Sequence, residues 1–302
     1  MRKQVLFILS LFLAINLHAE NKFVIEGRVA NVPDGLIVEL LCNEDNVGML
    51  VASDTLRNGK FRFEEETSGN GTDWMFLTAR TENYYSMILY LWVRPGSSIR
   101  ISADNLLVYT WNVESDVPEQ QTRSKILASS RDLWNEYQIL DGDYDSLRSR
   151  IKSGKYSGEE KKRQKARLDS MKQAKSMLQD RISAVELEAM AKLDVDQAWM
   201  LNYVNTAYMV NISKNKDNME KAKALYAYIP DVWRDSYSGR EAKNVLFPQH
   251  VVEVGEEAAD ADLYDIDGKL WHLSDFRGRY VLIDFWSRGC GPCKMAIPEI
   301  KE

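Results

Sequence analysis

The sequence predicts a multidomain α+β chain: an N-terminal antiparallel β-sandwich over residues 20–118, a central helical segment over 119–248, and an incomplete parallel α/β domain over 249–302. Three observations predict it. Residues 22–112 break into short alternating apolar runs separated by Pro, Gly and Asn turn signals. Residues 119–245 become rich in Lys, Glu, Gln, Ala, Met and Leu, with apolar residues three and four apart. Near the end, Tyr280–Trp286 is an almost continuous apolar, β-favouring run that passes into a Gly-rich turn, as a doubly covered parallel strand would.

The first element is a processing signal. Arg2 and Lys3 precede an apolar run from Val5 to Leu17, too short to span a bilayer comfortably. Leu17-His18-Ala19 suits cleavage, so residues 1–19 are expected to leave and the mature chain to start at Glu20. No cysteine stands at that point, which argues against a lipoprotein; a retained N-terminal anchor is the alternative. Export places the chain where disulfides persist, yet three cysteines are too few for a disulfide-stapled scaffold. The net charge is −6, and −8 once Arg2 and Lys3 are gone, which gives no electrostatic case for nucleic acid or anionic lipid.

In the β region, Phe23–Val29 alternates, Pro33-Asp34-Gly35 marks a turn, and Leu36–Cys42 reads as a strand with Cys42 a buried small hydrophobe. Asn58-Gly59 between Thr55-Leu56 and Lys60–Phe63 predicts a hairpin with a type I′ turn. Further strands are expected at 74–79, 86–93 and 98–103, the last two split by Pro95-Gly96. In the helical segment, Leu168, Met171, Leu178, Ile182, Val185 and Ala189 fall on one face. A second pattern, Trp199, Met200, Tyr203, Val204, Ala207 and Tyr208, followed by residues 219–229, predicts helices packing pairwise. The basic run Lys161-Lys162-Arg163-x-Lys165-x-Arg167 reads as a solvated face.

The chemistry concentrates at Cys290-Gly291-Pro292-Cys293. Pro292 suits a first helical turn, where its missing N–H would have had no partner. Cys290 then sits at a helix N-terminus, where the free N–H groups and the dipole can lower a thiol from about 8.5 to roughly 3.5–7.5. Cys290 is the expected exposed nucleophile and Cys293, one turn on, the buried resolving thiol. Asp284, inside the apolar strand, is expected to be desolvated and to accept a proton from that thiol. A zinc site needs about four ligands, and Cys42, His18, His250 and His272 lack ligand spacing to the pair. A purely structural disulfide is the other reading, and for Asp284 a local hydrogen bond.

The run Asp284-Phe285-Trp286-x-x-x-Cys290-Gly291-Pro292-Cys293-Lys294-Met295, with Pro298 beyond, resembles the active-site segment of the thioredoxin superfamily. Val254-Gly255 and Leu263-Tyr264-Asp265-Ile266-Asp267-Gly268-Lys269-x-x-x-Leu273-Ser274-Asp275-Phe276-Arg277-Gly278 look like the TlpA/ResA branch of envelope thiol-disulfide oxidoreductases. The Asn58-Gly59-Lys60-Phe61-x-Phe63 and Val93–Ile101 patterns are similar to the β-rich domain of unknown function that often precedes such domains. The resemblance implies a thioredoxin-like fold at the C-terminus and reduction or exchange of disulfides in envelope proteins. It implies no cofactor or metal, an upstream thiol reductant, and Trp286, Gly291, Pro292 and Lys294 as supporting residues.

Gly289 stands where the family usually has Trp, and Ala296 where the branch often has Glu. Gly289 and the neighbouring Arg288 are expected to favour ionisation of Cys290. A Gly-Pro pair between the cysteines resembles thioredoxin, at about −270 mV, and favours a reductant. The rival reading is an envelope binding protein with a vestigial redox motif; a peroxidase would need a Pro-x-x-x-Thr-x-x-Cys setting, which is missing. Residues 250–302 also fall short of the roughly 100–140 that such a domain needs. The sequence therefore reads as a fragment whose strand 280–286 is left partly uncovered.

Overall fold

The computed structural model of the protein describes residues 21–44, 47–82, 84–248, 252–287 and 290–301. The expected leader, Arg288, Gly289 and His250 lie outside them. The chain is a mixed α+β structure that divides into two compact units, one holding residues 21–43 and 48–246 and the other chiefly residues 247–301.

Among its described residues the larger unit has nine strands: β1 (Lys22–Val29), β2 (Ile37–Glu44), β3 (Val47–Thr55), β4 (Lys60–Glu66), β5 (Asp73–Thr81), β6 (Tyr84–Tyr85), β7 (Leu89–Val93), β8 (Ser98–Ala103) and β9 (Asn112–Glu114). They form a four-stranded sheet of order β4-β1-β8-β9 and a second sheet of order β3-β2-β5-β6, in which β7 also pairs with β5. Alternation drives the core. Phe23 and Ile25 of β1, Leu40 of β2, Leu77 of β5 and Ile99 of β8 are all fully buried in one apolar cluster.

Two local expectations are corrected. Asn58 and Gly59 have the positive φ values of a type I′ turn, 51° and 67°, and Arg57 and Lys60 exchange both hydrogen bonds across it. The strands it joins then part, β3 pairing in one sheet and β4 in the other, so the turn is a crossing between sheets and not the tip of a lasting hairpin. Gly59 is required there, since a Cβ would lie 2.5 Å from the Val29 carbonyl oxygen. The sheets are also not wholly antiparallel, because β1 and β8 run parallel, Val24 opposite Ser98. The chain crosses through the other sheet between them, which is long enough to return it in the same direction. Cys42, in β2, is half-buried rather than fully covered.

Six helices follow: α1 (Pro118–Lys152), α2 (Gly158–Met190), α3 (Gln197–Ser213), α4 (Lys216–Tyr226), α5 (Asp231–Arg234) and α6 (Tyr237–Leu246). Pro118 occupies the first turn of α1, Asp196 Oδ1 accepts the Trp199 N–H at 2.8 Å to cap α3, and Asn215 caps α4 through the Asn218 N–H. Trp199, Met200, Tyr203 and Ala207 are buried as their spacing predicts, and the basic run from Lys161 to Arg167 is solvent-exposed.

Near residue 118 strands give way to helices within the one larger unit. Trp92 of β7, Val117 and Ala198 of α3 bury one another, and the Trp92 N–H donates to Gln120 Oε1 of α1 at 2.9 Å. Beside it Arg94 Nη2 meets Glu119 at 2.8 Å.

In the smaller unit β10 (Leu263–Tyr264) pairs antiparallel with β11 (Leu270–Trp271), a 3-10 turn covers Leu273–Phe276, and α7 spans Gly291–Lys301. Tyr280–Trp286 was expected to be a buried parallel strand. It is instead unpaired and exposed, Leu282 at 82% and Phe285 at 88%. The reason is non-local: a parallel strand exists through its neighbours, and none of the described residues pairs with this one.

Candidate dithiol site

Chain direction and one proline build the site. The Cys290 N–H donates to the Ser287 carbonyl at 3.0 Å, a turn that ends the extended segment. The Cys290 carbonyl then accepts the Lys294 N–H at 3.1 Å, the first hydrogen bond of α7, which makes Cys290 the residue that caps the helix. Pro292 falls in the first turn, where the sequence expects it. Pro298 lies further along the same helix and removes one backbone donor.

Cys290 and Cys293 are disulfide-bonded to each other, with Cα atoms 5.3 Å apart. Cys290 Sγ also accepts the Cys293 N–H at 3.2 Å, the contact a capping side chain makes with a free helix N–H. In the reduced pair this N–H and the helix N-terminus favour negative charge on Cys290. Cys293 Sγ lies 3.8 Å from the Phe285 carbonyl oxygen, an acceptor for its proton once the pair is reduced. Both cysteines are half-buried, so Cys293 lacks the cover expected of a resolving thiol.

The remaining expected residues are placed unevenly. Gly291, Pro292 and Lys294 surround the first turn of α7 and are exposed. Asp284 is exposed, so the desolvation on which its proton-acceptor role rested is missing here, for want of a strand or helix over it. Trp286 is 63% exposed. Arg288 and Gly289 fall outside the described residues. Sequence reasoning passed over the Ser287 and Phe285 carbonyls because they are backbone groups; the turn-forming Ser-x-Gly before Cys290 was the available signal for the first. No group of side chains suited to a metal ion occurs among the described residues.

The ribbon before the site is held by acids. Asp265 accepts the Lys269 N–H at 2.9 Å, the Asp267 N–H at 3.0 Å and the Trp271 indole N–H at 2.9 Å. The indole bond, and then the backbone N–H groups, hold its carboxyl below the usual range. Asp260 is held low in the same way, first by the Ser274 hydroxyl at 2.6 Å. Gly268, at φ 77°, turns the chain between the two strands, and the Trp271 and Phe276 rings stack 5.9 Å apart.

Residues 254–302 match the AhpC/TSA family. The chain is 37% identical over 51 residues to the thiol-disulfide oxidoreductase ResA of Bacillus thuringiensis subsp. konkukian, 17% of this chain and 30% of that protein. Against ResA of Geobacillus thermodenitrificans it is 36% identical over 59 residues, 20% and 34% of the two chains. Against the thioredoxin-like protein YneN of Bacillus subtilis it is 31% identical over 51 residues, 17% and 30%. The chain thus spans about a third of the length of these relatives. No solved structure matches it. The resemblance to thiol-disulfide oxidoreductases of the thioredoxin superfamily holds over the C-terminal part of the chain.

Proposed function

We propose that the protein is an exported thiol-disulfide oxidoreductase that reduces or exchanges disulfides of envelope proteins through Cys290 and Cys293. The observation that carries this is the Cys290 sulfur capping α7 with its partner thiol one turn away. The Cys290 thiolate attacks one sulfur of a substrate disulfide, forming a mixed disulfide and expelling a substrate thiolate. The Cys293 thiolate then attacks Cys290 Sγ, which releases the second substrate thiol and closes the Cys290–Cys293 bond. Two electrons have passed to the substrate, and an upstream dithiol returns them by the reverse exchange.

In this scheme Asp284 takes the Cys293 proton as a solvent-exposed carboxylate rather than a buried one, with Trp286, Arg288, Gly291, Pro292 and Lys294 shaping the surroundings. The two sheets, sharing one core, pack as a sandwich that carries the helices, and residues 1–19 direct export. No described helix is long and apolar enough to cross a membrane.

Trapping tests the roles. Cys293→Ser should accumulate mixed disulfides through Cys290 when offered oxidised envelope proteins, while Cys290→Ser should accumulate few. Equal trapping by both variants would reverse the assignment, and trapping by neither would favour the binding-protein reading. Recovery of the secreted chain with Glu20 at its N-terminus checks the export step.

A further inference from the structure

Apart from the cysteines, the larger unit buries two opposite charges that do not touch. Arg123 of α1 is 3% exposed and Glu186 of α2 is 4% exposed. Arg123 Nη1 donates to Asn202 Oδ1 at 3.0 Å, and its guanidinium carbon lies 5.1 Å from the Tyr109 ring centroid and 5.9 Å from that of Tyr90. Its Nε and Nη2 are closed off from water and have no hydrogen-bond partner. Glu186 Oε1 accepts from the Ser130 hydroxyl at 2.6 Å and the Trp134 indole N–H at 2.7 Å, and Oε2 has no donor among the described residues. Burial pushes the Glu186 carboxyl up, and Arg123 pulls it the other way.

Both charges line one cavity of about 270 Å³. The rings of Tyr90, Tyr109 and Trp134 form part of its wall, and the exposed Asn205 marks its mouth. Charge at this depth is costly, and although the two groups attract each other and the Tyr109 hydroxyl also favours the guanidinium, no described residue bonds Nε or Nη2 in good geometry or donates to Oε2. Nε and Nη2 together are the edge with which a guanidinium grips a carboxylate in two parallel bonds. An anion alone would leave Glu186 unanswered, and a cation alone would leave Arg123. A molecule carrying both charges answers each, and the size of the cavity limits it to a compact one.

We propose that this cavity binds a small zwitterion of amino-acid size, its carboxylate held by Arg123, its ammonium by Glu186, and its body among the aromatic rings. Binding requires the guanidinium to turn its Nε–Nη2 edge into the cavity, giving up the Nη1 bond to Asn202 for the ligand carboxylate. The cavity belongs to the larger unit and uses no residue of the dithiol site.

The test uses the full chain, with thermal unfolding and titration calorimetry against glycine, L-leucine and L-phenylalanine. At least one should raise the melting temperature and bind saturably. Isoamylamine and phenethylamine, which lack the carboxylate, and the N-acetyl amino acids, which lack the ammonium, should bind at least about tenfold more weakly, since each forfeits a charged hydrogen bond. Arg123→Lys and Glu186→Gln should weaken binding. Because either substitution in so buried a place can unfold the protein, Asn205→Trp at the exposed mouth is the control, expected to fold and to block entry. The proposal fails if none of the three amino acids binds, if the one-charge analogues bind equally well, or if Asn205→Trp leaves binding unchanged.

Discussion

Asp265 makes three hydrogen bonds from an exposed turn, and the ribbon β10–β11 depends on them because two strands of two residues cannot hold by themselves. Its carboxyl is lower in the folded ribbon than in an unfolded chain. The stabilisation is therefore complete above the ordinary carboxylate range and is lost as pH falls through the depressed folded value. We expect the Trp271 indole N–H to stay protected from exchange, relative to an unfolded chain at the same pH, until the pH falls below the ordinary carboxylate range, and Asp265→Ala to lack that protection at every pH. Equal protection in the variant and the parent chain would remove Asp265 from this role. Residues of this kind are legible in sequence: Asp-x-Asp-Gly is a turn signature, and Pro292 announced the start of α7. Arg123 and Glu186 were not, because a charge among polar neighbours on a long helix reads as solvated until the partner elements bury it.

At the scale of elements, β7 is finished by a side chain, Gln120 Oε1 taking the Trp92 N–H in a fully buried setting. Gln120→Ala leaves that N–H without an acceptor and should destabilise the larger unit by about 1–3 kcal/mol. Chemical denaturation followed by far-UV circular dichroism measures it; a loss near zero would show that water reaches the Trp92 N–H. Strands β5, β7 and β8 were readable from alternation and Pro-Gly punctuation, and the apolar stripes of α2 and α3 from helical spacing. The sheet assignment was not readable. Nothing in Asn58-Gly59 says that the strands on either side separate, because the competing partner of β4 is β1, far away in sequence. For the same reason Tyr280–Trp286 has the composition of a buried strand yet stays exposed: composition states a preference, and pairing needs a neighbour.

Across the whole molecule, burial is concentrated in the larger unit. Its clusters hold Trp111, Trp199, Tyr203 and Ile182 at 2% exposure or less, whereas Tyr280, Leu282 and Phe285 in the smaller unit are open. Local opening costs least where few apolar contacts are lost. Limited proteolysis of the 302-residue chain should therefore cut first within residues 250–302 and leave a resistant product of about residues 21–246. Protease resistance of the C-terminal segment would contradict this expectation.

The parallel pairing of β1 with β8 also sets an order of events in time. The chain's first strand lies inside its sheet, between β4 and β8, and Val24 has no Ser98 to meet until the whole second sheet has been made. Such a non-local contact bears its loop-closure entropy before any reward, which places folding of the β region towards the slow, millisecond-to-second end. A chain that emerges amino-terminus first would pair β1 with β4 on one side and leave its other edge open until residues 98–103 follow.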